Sequence, residues 1–364
     1  MKCFVGLLFA IVVLVASLPA SAQLEEGPVL QRIRERGELI CGVNPGLRGF
    51  SYQDNNGQWL GFDVDICRAV AAAILGDADA VQYVPVQSGE RPIFLQTGTV
   101  DMLSRNTTLT LSRDTAWEVR FGPVTFYDGQ GIMVRRESGI ISLEVMAGGT
   151  ICVQSGTTTL PNIREALENR DLPYRVINAA GSEIQAAATQ DFPPTTLQTF
   201  DNADDMMSNF FAGRCDAVTT DLSGLAARRA AAPVPDELII LNETLSKEPL
   251  APLSPDSDPG FANIIMWTVY GLIQAEEYGI TQTNVDTFTM IDNPSIQRFL
   301  GQSDESTGDY LTLENDFMMT VIREVGNYGE IYERHLGPET DLGLERNLNR
   351  LYTEGGLLYS PPFR

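Results

Sequence analysis

Short apolar runs alternate with stretches of helical spacing along the first third of the chain, and this order admits little besides an open, wound, mostly parallel sheet. A helix over residues 32–36 stops at Gly37, and Glu38-Leu-Ile-Cys-Gly-Val43 is a compact apolar strand. Residues 50–52 and 58–60 flank turn chemistry at Asn56-Gly57, which predicts a hairpin. Asp63 stands where it would cap the next helix, in which Ile66, Ala69, Val70 and Ala73 fall on one face. Residues 81–86 predict a strand, 91–95 a helix, and 100–103 another strand. A second unit repeats the order. Strands are expected at 150–154, 174–177 and 215–219, with helices at 161–167, 204–212 and 223–229. Residues 181–199 are polar, contain Pro193-Pro194, and predict a long loop or insertion. A long helix is expected over 261–278, with further helices in the tail. In each unit a polar loop rich in Thr follows a short strand. Ligands sit at such strand ends in open α/β sheets, so two lobes would present facing edges across a cleft.

The first 22 residues predict a secretory signal. Lys2 begins it, residues 4–15 are apolar, Pro19 interrupts, and Ala20-Ser21-Ala22 offers a small-residue cleavage site before Gln23. Cys3 lies too far upstream to be a lipoprotein cysteine. An exported chain of the remaining length suits two lobes. The formal net charge of −23 disfavours nucleic acid and anionic membrane surfaces as partners. It says nothing against an acidic ligand, because a pocket is governed by its own local charges. Four cysteines remain after cleavage: Cys41, Cys67, Cys152 and Cys215. An even number in an exported protein predicts disulfides, and three pairings are open. Cys41–Cys67 with Cys152–Cys215 is favoured, since each bond then stays within one half. No CxxC pair occurs and His335 is the single histidine, so neither a zinc site nor any other metal or cofactor is expected.

The strand at 100–103 runs into Asn106-Thr107-Thr108-Leu109-Thr110-Leu111-Ser112-Arg113. Amide, hydroxyl and guanidinium groups at a strand end suit a small zwitterion, with Arg113 taking a carboxylate in two-point contact. The plainer alternative is Ser112 as a helix cap with Arg113 on a solvated face. Ser88 and Arg91 precede the same strand and can face the same edge, or be surface residues. In the second unit, Gln154 leads into Ser155-Gly156-Thr157-Thr158 at a helix start, where free N–H groups favour an anion. Simple capping competes with that reading, and no GK[ST] follows, so this is not a phosphate loop. Asp221 stands just past the strand at 215–219, at a helix start, and suits either an N-cap or a partner for an ammonium group. Neither GxSxG nor HExxH occurs, which disfavours hydrolase chemistry.

These segments, taken in order, resemble the family-3 solute-binding proteins of polar amino acid ABC importers. The carriers are Ile33-Arg-Glu-Arg-Gly37, Gly61-Phe-Asp-Val-Asp65, Leu95-Gln-Thr-Gly98, Thr110-Leu-Ser-Arg113, Gln154-Ser-Gly-Thr-Thr158 and Asp216-Ala-Val-Thr-Thr-Asp221. Ser104-Arg-Asn-Thr-Thr108, Tyr127-Asp-Gly-Gln-Gly131, Ser246-Lys-Glu-Pro249 and Val325-Gly-Asn-Tyr-Gly-Glu330 are similar to the Aap/Bzt type, which serves general L-amino acid or glutamate/glutamine/aspartate/asparagine importers. The resemblance implies an α/β, two-lobe periplasmic binding protein of type II, each lobe a mostly parallel sheet flanked by helices. Two hinge strands are expected near 127–134 and 244–253. Lobe 1 would comprise residues 23–130 and 250–364, and lobe 2 residues 131–249. It further implies that Arg113 pairs with the ligand α-carboxylate, that Asn106 and Thr108 contact the α-groups, and that Thr157 and Thr158 donate from lobe 2. Asp221 would take the α-ammonium. Ser88 and Arg91 would hold a side-chain carboxylate, while Asn44 and Asn202 would line the pocket. Gln154 stands where several relatives carry lysine. Residues 181–199 and the proline-rich 251–259 depart from the family pattern. The expectation is a monomeric receptor delivering L-amino acids to inner-membrane permease subunits. A periplasmic enzyme on the same scaffold, similar to the cyclohexadienyl dehydratases, is the alternative.

Overall fold

A computed structural model describes residues 26–187 and 193–364. The expected signal segment and its cleavage after Ala22 lie outside them. Two sheets organise the described chain. In the first, the spatial order is Val81–Pro85, Leu39–Val43, Met102–Leu103, Leu253–Pro255 and Val119–Phe121. The first three strands are parallel, and Leu253–Pro255 runs antiparallel to both its neighbours. In the second, four parallel strands lie in the order Tyr174–Ile177, Thr195–Phe200, Thr150–Gln154 and Ala217–Asp221. Antiparallel strands flank them, Glu183–Ala187 on one side and Phe126–Arg135 on the other. Parallel neighbours require helical crossovers, which the chain supplies.

The chain crosses between the sheets through two strands lying side by side. Phe126–Arg135 enters the second sheet, where its outer half pairs with Ala217–Asp221. Its inner half pairs antiparallel with Ser246–Leu250, from Gln130↔Ser246 to Phe126↔Leu250. Two adjacent extended strands bend without losing packed core, which suits a hinge.

The largest apolar core surrounds the helix Phe62–Leu75, whose residues are buried on nearly every side. Its Ala69, Ala71, Ala72 and Ala73 let Pro259–Glu277 and Phe317–Val325 approach closely. Phe50, Phe62, Phe126, Tyr328 and Tyr332 form an aromatic cluster at its start, with Phe62 edge-on to Phe126 and Tyr328. The tail helices thus pack on the first sheet's side of the molecule. A fully buried side chain such as Phe62 stabilises by about 1.5–3 kcal/mol, and Phe62→Ala would cost about 3–5 kcal/mol through the cavity it leaves.

Cys41 and Cys67 form a disulfide between a strand and this helix, with Cα atoms 6.2 Å apart. Cys152 and Cys215 form the second, at 5.7 Å. Closing loops of these lengths stabilises by roughly 3–4 kcal/mol each in the chain-entropy account.

Two expectations fail locally. Residues 181–199, expected as a long loop or insertion and described except for 188–192, are not all loop. They contain the edge strand Glu183–Ala187 and the start of Thr195–Phe200, an interior strand of the second sheet. Its β-branched threonines favour extended backbone and are buried there, while their hydroxyls find partners such as the Met146 carbonyl. Asp63 does not cap its helix. Gly61 occupies the cap position, and the Asp63 carboxylate turns inward.

Candidate functional site

The wall contributed by the first sheet is the loop after Met102–Leu103. Buried Asp63 fixes it by accepting from Asn106 N at 2.9 Å and from the Ser104 hydroxyl at 3.4 Å. Burial pushes the Asp63 carboxyl up to about 6. Asn106 adopts φ +29°, a left-handed conformation that asparagine tolerates better than bulkier residues. The loop is also stitched to the second crossing strand, with Leu109 N donating to the Pro249 carbonyl at 2.8 Å. Thr110, not Ser112, caps the short helix Leu111–Ala116, its hydroxyl accepting from Arg113 N. Arg113 is therefore not on a solvated face. Its guanidinium donates to the Thr108 carbonyl at 3.0 Å and lies over the Trp117 ring.

Arg91 also lies over Trp117 and donates to the Ser88 carbonyl, the Thr107 hydroxyl and, across the cleft, the Gly156 carbonyl at 3.0 Å. Arg105 donates to the Val86 carbonyl at 2.7 Å and the Ser88 hydroxyl at 3.2 Å. Arg91, Arg105 and Arg113 are 2%, 4% and 7% exposed. None has a carboxylate within salt-bridge distance among the described residues. Buried unpaired charge is expensive. Burial accordingly pushes all three guanidiniums down, with mutual repulsion adding at Arg91 and Arg105; Arg105 falls to about 10. An anion placed between them would relieve that cost.

The opposing wall starts where Thr150–Gln154 ends. Gly156 turns at φ +70°, and a Cβ there would stand 3.5 Å from the Gly89 backbone of the other wall. The positive φ favours glycine, while a Cβ would find only ordinary contact with the other wall. Thr157 donates to the Gln154 carbonyl and accepts from Thr159 N, so it closes its own turn. Thr158 sits at the cap position of Thr159–Glu168 but makes no capping bond. Its hydroxyl donates to Glu248 at 2.8 Å. Asp221 likewise stands at a cap position with no capping bond. Its carboxylate meets the Asn106 amide across the cleft at 3.5 Å, and Asn44 in turn donates to Asn106 at 3.0 Å. Burial pushes the Asp221 carboxyl well above its usual range, and the Asp128 and Glu248 charges push it further. A cation would reverse that.

These residues enclose a polar cavity. Its volume is small, about 40 Å³. Asn44, Ser88, Arg91, Asn106, Thr108, Arg113, Gln154, Thr157, Thr158 and Asp221 all line it. Asn202 does not. It caps Ala203–Phe211, its carbonyl oxygen accepting from Asp205 N at 2.8 Å, and that bond turns the side chain to its own helix. Sequence reasoning missed Arg105, Thr159 and Thr220 on the lining, and Asp63 and Glu248 behind it. Alternation along Ser246–Leu250 turns Glu248 inward beside exposed Lys247, a signal the sequence carried.

The cavity holds no thiol and no imidazole. Cys41, Cys67, Cys152 and Cys215 form the two disulfides, and His335 contacts Asp65. Among the described residues no cluster of His, Cys, Asp and Glu could hold a metal ion, and no helix is long and apolar enough to cross a membrane. The arrangement can hold a small molecule with a positive end at Asp221 and negative groups at the arginines.

Comparison with known proteins adds an independent line. The family model for bacterial extracellular solute-binding proteins, family 3, matches residues 39–338. A general L-amino acid-binding periplasmic protein, AapJ of Rhizobium johnstonii, is 44% identical over 96% of each chain. A glutamate/glutamine/aspartate/asparagine-binding protein, BztA of Rhodobacter capsulatus, is 42% identical over 98% of this chain and 97% of its own. A solved periplasmic binding protein of an ABC transporter from Brucella ovis, with glutathione bound, superposes with a TM-score of 0.84 at 40% identity, covering 92% of this chain and 99% of its own.

Proposed function

The chain belongs to the bacterial extracellular solute-binding proteins of family 3, and from that premise we propose that its cavity takes L-amino acids with acidic or amide side chains for delivery to an ABC permease. It is a periplasmic binding component and not an enzyme, as its close relatives are. The observation that carries the ligand class is the set of three buried arginines, none in a salt bridge among the described residues, opposite buried Asp221.

Arg113 takes the α-carboxylate, helped by backbone N–H groups at the start of the Thr159–Glu168 helix, near Thr157 and Thr158. Asp221 takes the α-ammonium, and Asn44 and Asn106 form an amide relay that aims at it. Ser88, Arg91 and Arg105 hold the far end, where a carboxylate or amide oxygen accepts from them. Gln154 supplies a neutral wall. Residues 23–130 with 250–364 make one lobe and 131–249 the other, and the mature monomer begins at Gln23.

The working motion is hinge closure. Ligand held first on the arginine wall gains the Asp221 and helix-start contacts only when the lobes meet, so binding shifts the population toward the closed form.

The glutathione-bound relative favours a second reading of breadth. A γ-glutamyl compound presents the same α-ammonium and α-carboxylate, with an amide where glutamate has its second carboxylate. A thermal-shift screen against the standard L-amino acids and glutathione tests both. L-glutamate and L-aspartate are expected to raise the melting temperature. Glutathione joins them if the far end tolerates extension. No shift with any L-amino acid would overturn the proposal.

A further inference from the structure

Glu248 lies on the crossing strand Ser246–Leu250, is 1% exposed, and does not line the cavity. Four donors converge on its carboxylate. One oxygen accepts from the Thr108 hydroxyl at 2.5 Å and the Thr158 hydroxyl at 2.8 Å. The other accepts from the Asn162 amide at 2.7 Å and the Ser246 hydroxyl at 2.6 Å. Thr108 belongs to the arginine wall, whereas Thr158 and Asn162 belong to the opposing wall. A single hinge-strand carboxylate oxygen therefore joins the two walls through two residues that face the ligand.

A hydroxyl has one proton and two acceptor positions. An ionised carboxylate only accepts, so both threonine protons are committed to Glu248. What each hydroxyl then shows the cavity is a lone pair. We propose that Glu248 is a positioning residue: by taking both protons it turns Thr108 and Thr158 into acceptors for the ligand ammonium and ties that recognition to lobe closure. This rests on the amino-acid reading above and deepens it. The ammonium would then meet Asp221 together with two hydroxyl acceptors whose direction is fixed before it arrives. The two threonines converge on one oxygen only when the walls are together, so the same contact that defines the ammonium end also favours the closed form.

Glu248→Gln keeps the shape but replaces one accepting oxygen by an amide that only donates. The Asn162 amide nitrogen on the far side can only donate, so it holds the glutamine oxygen there and the new NH2 faces both threonines. Both hydroxyls must then accept from that NH2 and turn their protons toward the cavity, against the ammonium. Thr158→Val removes a hydroxyl that the glutamine has already turned. The losses should consequently overlap.

The test is calorimetry with L-glutamate on the wild type, Glu248→Gln, Thr158→Val and the double variant, each first shown folded by its thermal transition. Each single change is expected to weaken binding by at least about ten-fold, the worth of a hydrogen bond to a charged group, with the double variant close to the weaker single. A double variant whose loss is the product of the two singles overturns the proposal, as does Glu248→Gln within about two-fold of wild type. Failure of the wild type to bind any L-amino acid overturns the ligand reading itself. Should Glu248→Gln not fold, Thr158→Ser against Thr158→Val carries the test. The serine keeps the hydroxyl and should bind within about three-fold of wild type, and equal losses for the two would overturn the proposal.

Discussion

At one end of the cavity Arg91, Arg105 and Arg113 are buried without a salt bridge among the described residues; at the other, Asp221 is buried with Asp128 and Glu248 crowding it with like charge. The arginine end comes from one wall and is held rigid by carbonyls and by Trp117. The acidic end is assembled at the hinge and reaches the first wall through Asn106 and Thr108. Neither end is electrostatically satisfied by the protein. Each would be stabilised by a ligand group of opposite sign, so the two ends together favour a molecule carrying both. The difference in placement gives an order of events. The arginines are anchored mainly within one wall, with Arg91 alone also reaching the Gly156 carbonyl across the cleft, while the acidic end gains its partners from the opposing wall on closure.

Removing Arg113 should break this pairing most. It deprives the α-carboxylate of its partner while leaving Arg91 and Arg105 repelling each other. Arg113→Ala is expected to lose about 3–5 kcal/mol of binding, beyond calorimetric detection, with its unfolding temperature kept. Near-native affinity in the folded variant would break the account of the arginine end.

Asp221→Asn should come next, at about 2–5 kcal/mol. The wild type adds a pH signature at the same residue. Its raised pKa means that, below it, the empty site holds a proton that the ammonium must displace. L-glutamate affinity should fall as pH is lowered through that range, with proton release measured by titration in buffers of different ionisation heat. An affinity that does not fall on acidification would mean Asp221 meets no cation.

Arg105→Met sharpens the comparison without destroying it. It should weaken L-glutamate by about 1–3 kcal/mol and L-alanine far less, because only the longer ligand reaches the far end. Equal losses would place Arg105 in structure alone.

Asn202→Ala gives the smallest effect. It removes a helix cap at about 1 kcal/mol of stability and should leave amino-acid affinity unchanged.

The parts of this arrangement legible in the sequence are those set by local order. Arg113, Thr158 and Asp221 follow short apolar strands, and strand ends in a wound sheet face a common edge. The cysteine pairing followed from keeping each bond in one half. Residues whose role is fixed by distant segments were not legible. Arg105 is adjacent to Asn106, yet its burial depends on the Val86 carbonyl and on Ser88, which the fold brings up beside it. Glu248 lies 140 residues from Thr108. Asn202 misled because an asparagine ahead of an acidic helix start serves as a cap as readily as it lines a pocket. The strand Thr195–Phe200 was hidden because threonine carries its extended preference where Val or Ile would have announced burial.

The central claim is that the cavity demands both α-groups at once. Calorimetric titration with L-glutamate, glutarate and 4-aminobutyrate tests it directly, since glutarate lacks the ammonium and 4-aminobutyrate lacks the α-carboxylate. L-glutamate should bind, and each analogue should be weaker by at least about 100-fold, the penalty for leaving a buried charged partner unpaired. Either analogue binding within about ten-fold of L-glutamate would contradict the account.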